Sequence, residues 1–322
     1  MILTVTLNLA LDVTYRVRRL RAGRSHTLEL VRAQAGGKGV NVSRILKQLG
    51  VPTLAAGFVG GVTGDSVVKE MTKARLDHRL IPVPGETRRC MAVISEDDGS
   101  VTEINERGPD VPTDAWQEFA EVFEELIDTR DIRVTVVSGS LPPGVPVEAY
   151  ATLCRVSHKA EIPVILDSSG DALREGLKGR PDVVKPNRDE LLEALEDEKI
   201  STPKPSDEFL PSKWVPVVQG LRAKGAGAVV ASFGPDGLLA VTDEGTCFAR
   251  PPLVSGNPVG AGDGVTASLA RGVLEGRKWP ERVRDATALS SAVAASVTAG
   301  TFDPAVYALV GQRTVTRTAF VE

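Results

Sequence analysis

Short apolar runs rich in β-branched residues alternate along the chain with longer segments whose apolar residues recur every three or four positions. Ile2 to Leu9 (ILTVTLNL) alternates and predicts a first strand, with Asn8 and Asp12 as polar groups at its C-terminal end. Further strands are predicted at 54–59, 133–137, 163–166, 183–184 and 229–231. Helical spacing predicts helices from about residue 41 to Leu49, over 116–127 and 147–160, around Glu190, and after Gly264 through Val265, Leu269, Val273 and Leu274. Such alternation implies a mostly parallel sheet with helices on both faces. Polar clusters follow strand after strand: Gly60 to Asp65, Ser138 to Gly144, Asp167 to Gly170, Lys185 to Asn187 and Ser232 to Gly237. They fall at one sheet edge, the C-terminal edge where open α/β sheets hold their ligands.

Two stretches break this rhythm. Residues 13–34 and 87–105 are polar and alternating, and Asp97-Asp98-Gly99-Ser100 reads as a hairpin turn inside the second. Together they predict a small sheet that covers a site as a lid. Residues 196–216 are proline-rich and charged, which predicts an exposed loop without chemistry.

Two glycine turns lead into helices. Gly256 to Gly264 contains Gly260-Ala261-Gly262-Asp263, where small residues let backbone N–H groups converge beside a helix N-terminus. A carboxylate there either caps the helix or handles a proton. The second turn, Ala35 to Asn41, centres on Lys38. Gly39 follows Lys38 where a Walker A loop needs Ser or Thr, so the turn does not indicate a P-loop ATPase.

Composition narrows the field. A net charge of −4 over 322 residues gives no general attraction to nucleic acid or anionic membrane. Cys90, Cys154 and Cys247 are scattered and odd in number, and His26, His78 and His158 are equally dispersed, so no zinc site is suggested. The N-terminus lacks a basic leader, and 286–299 is too short and polar to span a bilayer. A reducing cytoplasm is the expected setting.

At this point the sequence resembles the PfkB (ribokinase-like) carbohydrate kinases, in particular the branch of 1-phosphofructokinases and tagatose-6-phosphate kinases. The resemblance rests on Asn8 to Asp12, AGGKGVN at 35–41, TEINERGP at 102–109 and SGSLPPG at 138–144. It extends through Lys185-Pro186-Asn187 with Glu190, SFGPDG at 232–237 and GAGD at 260–263. It implies a ribokinase-like three-layer α/β/α sandwich, a single domain over 1–322, with a small β lid from segments near 13–34 and 87–106. By the same likeness, Asp263 is the general base toward a sugar hydroxyl attacking ATP, and the N–H groups of Gly260, Ala261 and Gly262 form an anion hole. Asp12, Gly37, Lys38, Asn41, Arg88, Asn105 and Ser138 are expected at the sugar phosphate, and Lys185, Asn187, Ser232, Gly234 and Gly237 at the nucleotide. Glu190 is expected to place Mg²⁺ through water. Two departures stand out: Asn257-Pro258 replaces the family's Ser or Asp followed by Thr, and Arg89-Cys90 follows Arg88 where several relatives carry an apolar residue and Asn.

The leading expectation is ATP- and Mg²⁺-dependent phosphorylation of fructose 1-phosphate, fructose 6-phosphate or tagatose 6-phosphate. Lys38 and Arg88 argue against a kinase of an unphosphorylated sugar or nucleoside, and an intact Asp263 argues against a catalytically silent sensor. A dinucleotide oxidoreductase lacks its G-x-G-x-x-G turn after the first strand. The lid sheet is the expected contact surface of a homodimer.

Overall fold

The computed structural model describes residues 1–319 except 199, 201, 204–207, 255, 257–258 and 297. Asn257-Pro258 and part of the 196–216 segment therefore lie outside the described residues. The N-terminal part runs β1 (Ile2–Thr6), β2 (Ala10–Val17), β3 (Glu29–Gly36), α1 (Lys38–Gln48), β4 (Thr53–Val59), α2 (Gly61–Lys73), β5 (His78–Pro82), β6 (Arg88–Ser95) and β7 (Val101–Asn105). The middle is α3 (Thr113–Thr129), β8 (Val134–Ser138), α4 (Ala149–Lys159), β9 (Val164–Asp167), α5 (Gly170–Gly176), β10 (Val183–Val184), α6 (Arg188–Glu193), α7 (Pro211–Ala223) and β11 (Ala228–Ser232). β12 (Leu238–Thr242), β13 (Gly245–Arg250), α8 (Ala261–Leu274), α9 (Trp279–Ala294), α10 (Pro304–Arg313) and β14 (Val315–Ala319) complete it.

Among the described residues these strands form a large sheet in the order β14-β13-β12-β11-β10-β9-β8-β1-β4-β5 and a small one in the order β3-β2-β6-β7. From β11 to β5 the large sheet is parallel, and β12 to β14 extend it antiparallel. Its central strands are apolar on both faces because both faces are covered. Val183, Ala228 and Val230 join the cluster with Val42, Ile45 and Leu46 of α1 and with α8 and α9. Their neighbours Val184, Val229 and Ala231 join Phe119 of α3, Tyr150 of α4 and Trp214 of α7 on the other side. The period of two thus sorts adjacent residues into two cores, and the α/β/α layering follows.

Several expectations shift at this level. The first strand ends at Thr6, and Asp12 lies in β2 of the small sheet rather than at the end of the first strand. The lid segments begin at Ala10 and Arg88 and end at Gly36 and Asn105. The loop expected over 196–216 gives way to helix at Pro211, because Pro is well placed in a first helical turn and Trp214, Val217, Val218 and Leu221 bury one face. The antiparallel strands β12 to β14 close off one edge of the sheet and lie outside the alternation that signalled the rest.

Candidate active site

A cavity of about 540 Å³ opens between the C-terminal edge of the large sheet and the small sheet. Gly260, Ala261, Gly262, Asp263, Asp12, Gly37, Lys38, Asn41, Arg88, Asn105, Lys185, Asn187, Glu190, Ser232 and Gly234 all line it. Residues as far apart as 12 and 263 meet because each parallel strand returns the chain to the same edge.

Gly260 starts α8 with φ of 82°, a left-handed conformation, and a Cβ there would come within 2.9 Å of the Ala299 methyl. The N–H groups of Asp263 and Gly264 bond back to the Gly260 carbonyl. Those of Ala261 and Gly262 have no partner among the described residues, as expected of a first helical turn. Asp263 makes no capping bond; it is 5% exposed and its carboxylate accepts from Asn41 Nδ2 at 3.0 Å. Burial, reinforced by the charge of Asp167, pushes the Asp263 carboxyl up to about 7, against the counter-pull of Lys38, Asn41 and Lys185. The helix-cap reading of Asp263 therefore falls away.

Lys38 opens α1 behind Gly37, whose φ of 93° and near contact with Thr6 leave no room for a side chain. Its Nζ donates to Asp167 Oδ1 at 2.9 Å and to Glu190 Oε1 at 3.4 Å. Asp167, fully buried at the end of β9, also accepts from Thr266 Oγ1 at 2.7 Å and lies 3.4 Å from Lys185 Nζ. Burial works against the charged form of both Lys38 and Asp167, but the paired charges outweigh it. The lysine is held well above its usual range and the carboxyl below its own. Lys185 reaches 3.4 Å from where a Cβ on Gly262 would sit, so it flanks the free N–H groups of α8. Asn187 and Glu190 form a capping box at the start of α6: Glu190 N–H donates to Asn187 Oδ1, and Asn187 N–H donates to Glu190 Oε2. The N-x-x-E spacing is thus first a helix-start device, which leaves Glu190 Oε1 facing the cavity.

On the small sheet, register puts Gln34, Asp12, Cys90 and Asn105 in one row across all four strands. Asp12 is half-buried but enclosed by neighbours. Desolvation pushes its carboxyl up to about 6, against bonds from Asn41 and Gly37 and the charge of Arg88. Arg88 Nε donates to the Asn8 carbonyl at 3.2 Å and its Nη1 to the Glu106 carbonyl at 3.4 Å, with no carboxylate partner among the described residues.

Two expected residues do not line the cavity. Ser138 is fully buried at the end of β8, its hydroxyl without a partner, and Gly237 shapes the β11–β12 turn, where a Cβ would strike the Ala249 carbonyl at 2.1 Å. Asp167 and Gln34 line it unforeseen. Asp167 carried a signal, as the last residue of a strand at the ligand-binding edge. Gln34 carried none: its Nε2 donates to the Ala299 carbonyl at 2.8 Å, tying the small sheet to the segment that backs Gly260. All three cysteines are free: Cys90 is half-buried and lines the cavity, whereas Cys154 and Cys247 are buried. No cluster of three or more metal-ligating side chains occurs among the described residues. The donor set that fits a divalent ion is the carboxylate pair Asp167 and Glu190, because Mg²⁺ is commonly held by one or two carboxylates with waters and substrate phosphates. None of the helices among the described residues is long and apolar enough to cross a membrane.

The architecture has known counterparts. The structure of phosphofructokinase-2 from Escherichia coli in complex with potassium superposes with a TM-score of 0.85 at 28% identity, over 97% of this chain and 98% of that one. The same enzyme in complex with fructose-6-phosphate gives 0.83 at 26%, over 97% and 98%. A protein of Thermotoga maritima named as a possible 1-phosphofructokinase gives 0.85 at 26%, over 99% and 100%. The model of the pfkB family carbohydrate kinases matches residues 4–305, a span that includes nearly every strand and the whole cavity. With the family matched across the cavity and the fold matched over nearly the whole chain, the chain belongs to the pfkB family of carbohydrate kinases as an ATP-dependent sugar kinase.

Proposed function

We propose that the protein transfers the γ-phosphoryl group of ATP to a hydroxyl of a ketohexose monophosphate, giving a bisphosphate and ADP. The observation that carries this reading is Asp263: a buried carboxylate with its carboxyl pushed up to about 7, in the same first turn of α8 as the free N–H groups of Ala261 and Gly262. In the reaction the sugar oxygen attacks the γ-phosphorus as the bond to the β–γ bridging oxygen breaks, and Asp263 takes the hydroxyl proton. The N–H groups of Ala261 and Gly262, with Lys185 beside them, are aimed at charge that builds on the transferring group. Ser232, Gly234 and Asn187 border the nucleotide side. Bound through Asp167 and Glu190, Mg²⁺ would neutralise charge on the ATP phosphates.

Asp12, Asn41, Gly37 and Asn105 are assigned to the sugar, and Arg88 to its phosphate. Among the described residues Arg88 bonds only carbonyls, so a dianionic phosphate supplies the anionic acceptor that it otherwise lacks. Lys38 supports this less directly than the sequence suggested, since two carboxylates already neutralise it. That pairing favours a second reading, a neutral sugar as acceptor. Measuring kcat/KM for ATP with fructose, ribose and tagatose against their monophosphates decides between them. Equal values for sugar and ester would remove the phosphosugar assignment. We also infer that two copies pair through their small sheets, which leave Leu30 57% and Ile104 50% exposed.

A further inference from the structure

Lys38 stands where a metal cation is wanted. Its ammonium lies 2.9 Å from Asp167 Oδ1 and 3.4 Å from Glu190 Oε1, the two carboxylate oxygens that fit a divalent ion in this cavity. The ammonium is a monovalent stand-in for that ion, carried on a flexible four-carbon stem.

Both carboxylates are held independently of Lys38. Asp167 keeps Thr266 on Oδ2 and Lys185 beside Oδ1, and Glu190 keeps the Asn187 N–H on Oε2. Removing the ammonium therefore strands neither side chain in a new orientation, and a divalent ion arriving there restores the lost charge. Lys185 stays beside Asp167 Oδ1 at 3.4 Å in either case, so keeping Lys38 as well would put a second like charge against the ion, and Lys38 is the nearer of the two to Oδ1. Lys38 is the member of the group with room to leave: its side chain is 34% exposed, against 3% for Lys185. It also begins at the residue after Gly37, which bounds the sugar side of the cavity together with Asp12 and Arg88.

We propose that Lys38 is an exchangeable cation: it neutralises Asp167 and Glu190 until a divalent ion replaces it, and the phosphate of the sugar then receives the released ammonium beside Arg88. Sugar phosphate and divalent ion consequently bind with positive coupling, each removing Lys38 from the other's competitor state. By linkage the effect is reciprocal. This inference rests on the phosphosugar reading for its second half and on the carboxylate pair for its first.

The test uses the full-length protein without nucleotide, Mn²⁺ as the spectroscopic probe of the divalent site, and fructose 6-phosphate as the sugar phosphate. Free Mn²⁺ is read by electron paramagnetic resonance, and sugar binding separately by calorimetry. Saturating sugar phosphate should tighten Mn²⁺ binding to the wild type by about tenfold. Lys38→Met and Lys38→Gln should bind Mn²⁺ more tightly than the wild type without sugar and show no further tightening with it. A wild-type Mn²⁺ affinity unchanged or weakened by bound sugar phosphate overturns the proposal, as does weaker or equal Mn²⁺ binding in folded Lys38 variants. Should calorimetry detect no sugar phosphate binding, the phosphosugar reading fails, and Mn²⁺ affinity in the variants against the wild type then decides the exchange alone. Should neither variant fold, the wild-type coupling decides it.

Discussion

The floor of the cavity and its roof are built on opposite terms. β1 and β8 are buried at every position, Asp167 ends strand β9, which is packed between the two cores, and Asp263 stands on α8, which is packed against one of them. In the roof, β7 is exposed at four of its five positions, and β3 is buried only from Gln34 to Gly36, at its junction with α1. The groups we assign to the proton and the phosphates sit on this buried side together with Asn41, whereas Asp12, Arg88 and Asn105, which we assign to the sugar, sit on the side that solvent reaches. Rigid elements hold reacting groups within a fraction of an ångström, whereas an exposed sheet tolerates change in what it recognises. The difference predicts that damage to the floor appears in kcat and damage to the roof in KM.

The largest effect is expected at Asp263. Asp263→Asn keeps the size of the side chain and an acceptor for Asn41, but it cannot take a proton, so kcat should fall by about 10²–10⁴-fold while the KM values change little. A variant with near wild-type kcat would remove the base assignment. In the roof, Arg88→Ala should raise KM for the phosphosugar by roughly 10–100-fold, the loss of a charge-assisted contact of about 1.5–3 kcal/mol, with little change in KM for ATP. A fall in kcat with unchanged KM would break the contrast between the two sides.

pH sharpens the same comparison. Because the Asp263 carboxyl is pushed up to about 7, kcat/KM should level off above that value and fall about tenfold for each pH unit below it. The stability effect has the opposite sign. A carboxyl whose native value lies above its unfolded one binds a proton more tightly when folded. Its ionisation therefore costs stability as pH rises from about 4 to about 7, at up to about 1.4 kcal/mol per unit. Asp263→Asn should thus be more stable than the wild type at pH 8 and lose that advantage toward pH 4. Denaturation midpoints at the two pH values check it.

Periodicity exposed the parallel half of the fold because strands buried on both faces are continuous apolar runs with polar ends. β5, β13 and β14 lacked that contrast, and β12, an apolar run of its own, follows β11 without the intervening helix that marked the other strands. Within the site, the glycine turns located Asp263 and Lys38, since a turn that cannot carry a Cβ must be written in glycine. What they could not reveal was Lys38's partner: Asp167 lies 129 positions away, and only the sheet's strand order brings it near. Ser138 lies outside the cavity lining for a related reason. It ends a strand at the right edge, but which way its side chain points depends on strand phase, and here its hydroxyl is fully buried beside Gly39 at the start of α1. Asn187 and Glu190 carried two meanings in one spacing, and the helix cap is the one whose bonds are visible.

The smallest effect belongs to the outer part of the roof. Leu30 and Ile104 are more than half and half exposed, so replacing either by Ser in the monomer should change stability by no more than about 0.5 kcal/mol. Phe119→Ala, under the large sheet at 1% exposure, should cost about 3–5 kcal/mol by comparison. A Leu30→Ser, Ile104→Ser double variant then separates two uses of the roof. If the small sheets of two copies pair, these apolar side chains are buried in the pair, and the variant should shift the protein toward monomer by sedimentation. Its kcat should stay near wild type, because neither residue lines the cavity. An unchanged sedimentation profile would remove the sheet pairing, and a large loss of kcat would mean that the outer face reaches the chemistry after all.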